Sequence, residues 1–248
     1  SAELGLKQGF KIKNFQGYLD ISGFITQYND MMEFIFGIYN LDGSNPTASD
    51  LQNISSQGVE AIINSIGARS TNVQNANIPG FEISLVGQGN LTENISFSIL
   101  AGYTYVNPTA INPDSTYLST FSNPDTIIPK NSTLKYRNKH LAKLDFQIDY
   151  KKFSVGLSTR YTSLMENVDN IFVEPIPGTG IEILPGYGQY RNSRMNGDVI
   201  FDARIAYQIN KKSKISILMN NLLNREYTNR PGNVMPPRTI IWQYSLRF

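Results

Sequence analysis

The sequence has no cysteine and a single histidine, His140. Disulfide frameworks, thiolate metal sites and cysteine nucleophiles are therefore excluded, and His140 has no second imidazole with which to share a metal. No apolar run approaches the roughly 18 residues of a membrane-crossing helix. The N-terminal Ser1-Ala2-Glu3-Leu4-Gly5 has neither the charge-then-apolar pattern of a signal peptide nor an acylation motif. Basic blocks are also missing: 22 basic residues are balanced by 20 acidic ones, and the net charge is only +2. Such a balance leaves no electrostatic footprint for nucleic acid.

Aromatic residues and turn formers are abundant, with 14 Tyr, 13 Phe and 19 Gly among 248 residues. Period-two alternation organises them. Ile240, Trp242, Tyr244, Leu246 and Phe248 fall on one face of a terminal strand, opposite Thr239, Gln243, Ser245 and Arg247, with Ile241 as the intruder. Val199, Phe201, Ala203, Ile205 and Tyr207 oppose Asp198, Asp202, Arg204 and Gln208, with Ile200 out of pattern. Leu144, Phe146, Ile148 and Tyr150 oppose Lys143, Asp145, Gln147 and Asp149. Phe153, Val155, Leu157 and Tyr161 oppose Ser154, Gly156, Ser158 and Arg160. One apolar and one charged face is the pattern of a strand with water on one side only.

Further strands are predicted over residues 1–12, 17–32, 71–88, 94–106 and 214–228, for about nine in all. Short turns are expected near residues 13–16, 89–93, 150–152 and 210–213. Long Asn-, Pro- and Ser-rich connections are expected over 33–70, 107–138 and 164–196, with a shorter one over 229–237. Short and long connections alternate. An antiparallel meander then carries its short turns at one end and its long loops at the other, as outer-membrane barrels do. The predicted strands are also longer than the five or six residues usual in soluble sheets. A soluble β-sandwich is the alternative, and it calls for turns at more regular spacing. Within the first long loop, Leu51, Ile54, Val59, Ile62, Ile63 and Ile66 lack strand alternation and predict a short helix over the barrel mouth. No linker divides the chain.

Asn221-Leu222-Leu223-Asn224-Arg225-Glu226-Tyr227, then Arg230-Pro231-Gly232 and Pro236-Pro237-Arg238-Thr239, then a strand ending in Phe248, resemble the closing segment of TonB-dependent receptors. Asn77-Ile78-Pro79-Gly80-Phe81-Glu82 is similar to that family's strand entry after a long loop, and the Asn-rich style resembles its Bacteroidetes members. The resemblance implies that residues 1–248 are the C-terminal portion of an up-and-down transmembrane barrel of about 22 strands. It implies an energised importer in the bacterial outer membrane, with a plug domain and a TonB-contacting segment N-terminal to residue 1. The odd strand count agrees, since bacterial single-chain barrels close with even numbers. A passive porin, an adhesion barrel, or a scaffold held by a surface lipoprotein are the alternatives from other classes.

Functional expectations follow from these placements. The resemblance implies that Trp242, Tyr244, Leu246 and Phe248 form the insertion signal read by the barrel-assembly machinery, and the same face is expected to meet outer-membrane lipid. Asp145, Asp149, Arg160, Asp202, Arg204 and Arg247 are expected to face the lumen, where structural plug contacts and solvation are their expected role. Tyr39, Tyr117, Phe121, Tyr136, Phe172, Tyr187 and Tyr190 are ligand candidates by loop position, each weighed against simple loop packing. Asp42, Asn45 and Asp50 do not have the spacing of a calcium loop, and a turn is the expected reading. No cofactor is implied. No nucleophile with its base stands out, so no enzyme chemistry is expected.

Overall fold

The computed structural model describes residues 1–111, 113, 132–176 and 179–247. Twelve strands, three α-helices and one 3-10 helix (Asn170–Phe172) lie among them. The strands are β1 (Ala2–Ile12), β2 (Phe15–Ile38), β3 (Ile66–Thr92), β4 (Ile95–Val106), β5 (Thr109–Ile111), β6 (His140–Tyr150), β7 (Phe153–Thr162), β8 (Asp198–Gln208), β9 (Ser213–Asn220), β10 (Thr228–Arg230), β11 (Asn233–Val234) and β12 (Thr239–Leu246). The α-helices are α1 (Ala48–Ser56), α2 (Val59–Asn64) and α3 (Tyr187–Ser193).

Nine of the strands form one antiparallel sheet in the order β1-β2-β3-β4-β6-β7-β8-β9-β12, with β5 added to β3 and β10-β11 a separate hairpin. The order follows the chain, so every connection joins neighbours. Two-residue turns at Lys13-Asn14, Glu93-Asn94 and Lys151-Lys152 lie at one end. Lys13 and Lys151 adopt positive φ there, of 53° and 52°, which supplies the tight reversal that two-residue hairpins require.

Outside the bulges, cross-strand register sorts the side chains into two faces, because directly paired residues share a face. One face carries Leu19, Ile83, Ala101, Leu144, Leu157, Ile205, Ile217 and Trp242. The other carries Lys7, Asp20, Ser84, Asp145, Ser158 and Asp202. The apolar face is open to its surroundings: Ile205 is 53% exposed, Val155 53% and Trp242 70%. Water would not favour such a band, whereas lipid does.

Aromatic residues cluster at both rims of that band. Phe10, Phe15 and Phe97 follow one another at 5.1 and 5.4 Å near the short turns, and Phe153 meets Tyr207 at 4.7 Å. At the long-loop rim Phe81 lies 5.8 Å from Tyr103 and 5.6 Å from Tyr105. His140 joins this rim, with its Nδ1 2.8 Å from the Tyr103 hydroxyl and its ring 5.0 Å from Tyr105. Two such girdles are what membrane–water interfaces select.

Several boundaries differ from the sequence expectation. β2 and β3 do not stop at residues 32 and 71 but continue as a projecting hairpin, in which 31–38 pairs with 66–74. A bulge between Tyr28 and Met31, with Asp30 at φ 52°, breaks the alternation that would have revealed the continuation. The expected strand over 214–228 ends at Asn220, because Asn221 and Asn224 both adopt positive φ and turn the chain. The turn expected at 89–93 is shifted to Glu93-Asn94. The single expected helix is two, α1 and α2, separated at Gly58, whose φ is 94°.

Most buried hydrophobic side chains lie toward the long-loop end, in the projecting parts of β2 and β3, in β5 and in the connections beside them. Ile35, Val73, Ala76, Ala110 and Leu134 form one cluster, and Ile38, Ile62, Ile171 and Ile176 a second. The projecting hairpin thus packs against the β4–β6 and β7–β8 connections as a small folded cap.

Candidate ligand-facing cap and lumen wall

A charged ladder crosses the polar face of β6, β7 and β8. Arg204 donates from both terminal nitrogens to the two oxygens of Asp145 at 2.7 Å, and its Nε reaches Gln147 Oε1 at 3.2 Å. Arg160 donates to Asp202 at 3.0 Å, while Asp149 accepts from Gln147 at 2.9 Å and from Ser154. Asp145, Asp149, Arg160, Asp202 and Arg204 therefore share one face, with Arg204, Asp145 and Asp149 joined through Gln147 and Arg160 and Asp202 a separate pair. Arg247 follows β12 and is exposed, its backbone N–H donating to Lys212 O at 2.9 Å.

Asp169 is the centre of the cap. It is completely buried, and it accepts from the Phe36 backbone N–H at 2.8 Å, from the Tyr136 hydroxyl and from the Lys135 ammonium, itself buried. One carboxylate thereby ties the projecting hairpin to the β4–β6 and β7–β8 connections. A buried carboxylate is tolerable only when charge and hydrogen bonds are both supplied. Burial, and then the hydrogen bond to Asp169, push the Tyr136 hydroxyl far above its ordinary pKa.

The sequence-nominated aromatics are structural parts of this cap. Tyr39 donates to Ile35 O at 3.1 Å and lies 5.2 Å beneath the Arg69 guanidinium. Burial raises its pKa, against the opposing pull of Arg69. Phe172 packs on Phe36 at 5.3 Å, and Tyr136 meets Phe36 edge-on at 6.4 Å. Tyr187 is buried and stacks on Tyr190 at 6.0 Å. Tyr190 donates to Asp198 at 2.6 Å and accepts the Thr228 N–H at 3.1 Å. Tyr117, Phe121 and Phe248 lie outside the described residues.

Asp42 and Asp50 hold turns. Asp42 accepts the Ser44 N–H at 2.9 Å, and Asp50 completes the capping box of α1 with Thr47. Their hydrogen bonds hold both carboxyl groups below the usual range. Among the described residues, no three His, Asp or Glu side chains converge to hold a metal.

The Asn221 to Arg225 motif closes the last connection. Asn221 accepts the Arg225 N–H at 2.8 Å and donates back to Arg225 O at 2.8 Å, and Arg225 Nε reaches Asp198 at 2.7 Å. Asn224 accepts the Arg238 N–H at 2.8 Å. The connection arches over the upper wall and encloses, with the start of β8 and with α3, a cavity of about 340 Å³. Ile200, out of pattern in the sequence, is buried on the polar face against this cavity.

A family model described as TonB dependent receptor-like, beta-barrel, matches residues 1–222. The chain belongs to that family. Its members are outer-membrane receptors and transporters, not enzymes, which places this receptor segment in the bacterial outer membrane. The ferric-catecholate import receptor Fiu of E. coli aligns over 99% of this chain and 27% of its own, at 20% identity and a TM-score of 0.59. The siderophore receptor PiuA of Acinetobacter baumannii aligns over 98% and 28%, at 17% identity and a TM-score of 0.57. The copper transporter OprC aligns over 99% and 30%, at 14% identity and a TM-score of 0.52. At these identities the likeness is one of fold. The receptor segment spans about a quarter of the length of the solved receptors Fiu and PiuA. No curated protein matches the sequence.

Asp169, Lys135 and the cavity beneath the last connection are the features sequence reasoning missed. Lys135 and Asp169 are separated by 34 residues, and Phe36 and Asp169 by 133. No local pattern links them. The Asn221 to Arg225 motif was the one available signal for the cavity, since it marks where the last connection is fastened.

Proposed function

We propose that this chain is the C-terminal wall and part of the outer cap of an active importer in the outer membrane. The importer takes up a scarce extracellular solute through a path opened when TonB displaces a plug. The family match over residues 1–222 carries this reading. The open sheet supports the expectation of further strands, because among the described residues β1 and β12 each have one neighbour, and an unpaired edge in hydrocarbon leaves backbone groups unsatisfied at several kcal/mol each.

In this reading Asp145, Asp149, Arg160, Asp202, Arg204 and Arg247 line the lumen and meet the plug of the same full-length chain. Trp242, Tyr244, Leu246 and Phe248 carry the insertion signal. The cap fastened by Asp169 forms part of the extracellular binding surface, over which a surface lipoprotein could also dock. The named relatives handle ferric catecholates, siderophores and copper, so the barrel itself does not select a solute.

The test is uptake of a panel of ferric siderophores, vitamins and oligosaccharides by cells expressing the full-length protein, with and without TonB and with and without a protonophore. Concentrative uptake that requires both TonB and the proton gradient is the expected result. Uptake indifferent to both would identify a passive channel instead.

A further inference from the structure

The cavity beneath the last connection has an unbalanced charge. Arg160, Arg191 and Arg230 line it, together with one carboxylate, Asp198. Asp198 is already committed to Arg225 Nε at 2.7 Å, to Arg194 at 3.6 Å and to the Tyr190 hydroxyl at 2.6 Å. Arg160 is matched by Asp202. Among the described residues, Arg191 and Arg230 have no carboxylate partner. Arg191 reaches only the Glu166 carbonyl, at 3.4 Å, and its Nη1 is sealed from solvent with no hydrogen bond. The Glu166 carboxylate is spent on Lys139, at 2.6 Å.

The Arg191 Nη1 sealed off without an acceptor is costly unless an anion completes it, and Arg230, exposed at the rim of the same cavity, adds a second guanidinium with no carboxylate beside it among the described residues. The remaining lining mixes small uncharged polar residues, such as Ser163 and Asn229, with apolar and aromatic ones that include Leu141, Met165, Tyr227 and Met235. A volume of about 340 Å³ falls at the small end of ligand sites, which run from roughly 300 to 1,000 Å³. We propose that this cavity binds a solute, or part of one, that carries an oxyanion group on a ring-sized apolar body. Arg191 and Arg230 take the oxyanion, and the Met165, Tyr227 and Met235 side chains take the body. Thioether and aromatic side chains adapt well to such flat groups. Carboxylate and phosphate share this chemistry, and Arg accommodates either in a planar fork.

The assignment names a solute class for the importer and so rests on the uptake reading, but its test is separate. Full-length protein purified in detergent is titrated calorimetrically with benzoate, phenyl phosphate and the neutral benzamide. At least one of the two anions is expected to bind, benzamide roughly tenfold or more weakly, and the stronger anion identifies the headgroup. An R191Q/R230Q variant is expected to lose anion binding by a similar factor, whereas R191K/R230K retains part of it. Resistance of each variant's barrel to unfolding in cold SDS establishes that it is folded, and a variant that fails this is replaced by R230Q alone. Equal binding of benzoate, phenyl phosphate and benzamide, absence of binding by all three, or unchanged anion binding in the folded Gln variant would overturn the proposal. TonB-dependent uptake that persists in any of those cases would leave the transport reading standing.

Discussion

Gly156 of β7 lies directly opposite Arg204 of β8, and its missing side chain lets the Arg204 guanidinium cross β7 to reach Asp145 on β6. A Cβ at residue 156 would collide with the guanidinium group. G156A is therefore expected to displace Arg204 and break the bidentate pair, with a cost of about 1–3 kcal/mol typical of a steric clash. Most of that cost is steric, since both partners are about one-third exposed and such pairs contribute at most roughly 1 kcal/mol. The check is a pair of urea titrations of the refolded barrel, G156A against R204A/G156A. The double variant should recover most of the loss, and failure to recover it would place the clash elsewhere.

Asp169→Asn tests the cap. The substitution removes the Asp169 charge from the buried Lys135 ammonium, and breaking a buried pair in this way costs about 3–5 kcal/mol. The loss should be local, because Asp169 bonds the cap and not the sheet. Hydrogen exchange followed by mass spectrometry should show faster exchange around residues 31–38, 132–137 and 166–173, with β6, β7 and β8 unchanged. Uniform acceleration across the sheet would refute the view of the cap as a separate cooperative unit.

The Tyr136 hydroxyl gives the cap a pH dependence. Burial, then the hydrogen bond to Asp169, raise its folded pKa above the unfolded value near 10. A group of this kind binds more protons folded than unfolded once the unfolded tyrosine ionises. Its stabilising contribution is complete below about pH 10 and falls as pH rises beyond that. Exchange of the Phe36 amide, which donates to Asp169, should accelerate above pH 10 beyond its intrinsic base-catalysed rate. Y136F should be looser at neutral pH but free of that additional step.

The two faces of the sheet were legible in the sequence because strand side chains alternate with period two, and Asp145, Asp202 and Arg204 fell on the same side as soon as each strand was read alone. Strand ends were less legible. The bulge at Tyr28 to Met31 shifts the alternation, so Phe34, Ile35 and Phe36 read as loop residues although they continue β2. The loop aromatics were visible as residues but not as partners: Tyr136 and Phe172 meet Phe36 across long sequence separations. Ile200 shows the reverse. It broke the alternation in the sequence, and the reason, burial beneath the last connection, exists only in the folded chain.

The sequence contains one tryptophan, Trp242 on β12, which makes the membrane orientation measurable without labels. Trp242 pairs with Ile217 on the apolar face and is 70% exposed. If that face meets lipid, its fluorescence in reconstituted full-length protein should be quenched by lipids brominated on the acyl chain and protected from aqueous iodide. W242R should destabilise the barrel by an amount that depends on depth, about 2–4 kcal/mol at the bilayer midplane and near zero at its edges. Placing arginine instead at Gln243, which faces Ser216 on the polar side, should cost little. Quenching by iodide with no effect of the brominated chains would invert the sheet, and the ladder from Asp145 to Arg204 would then face lipid, a placement its charge makes untenable.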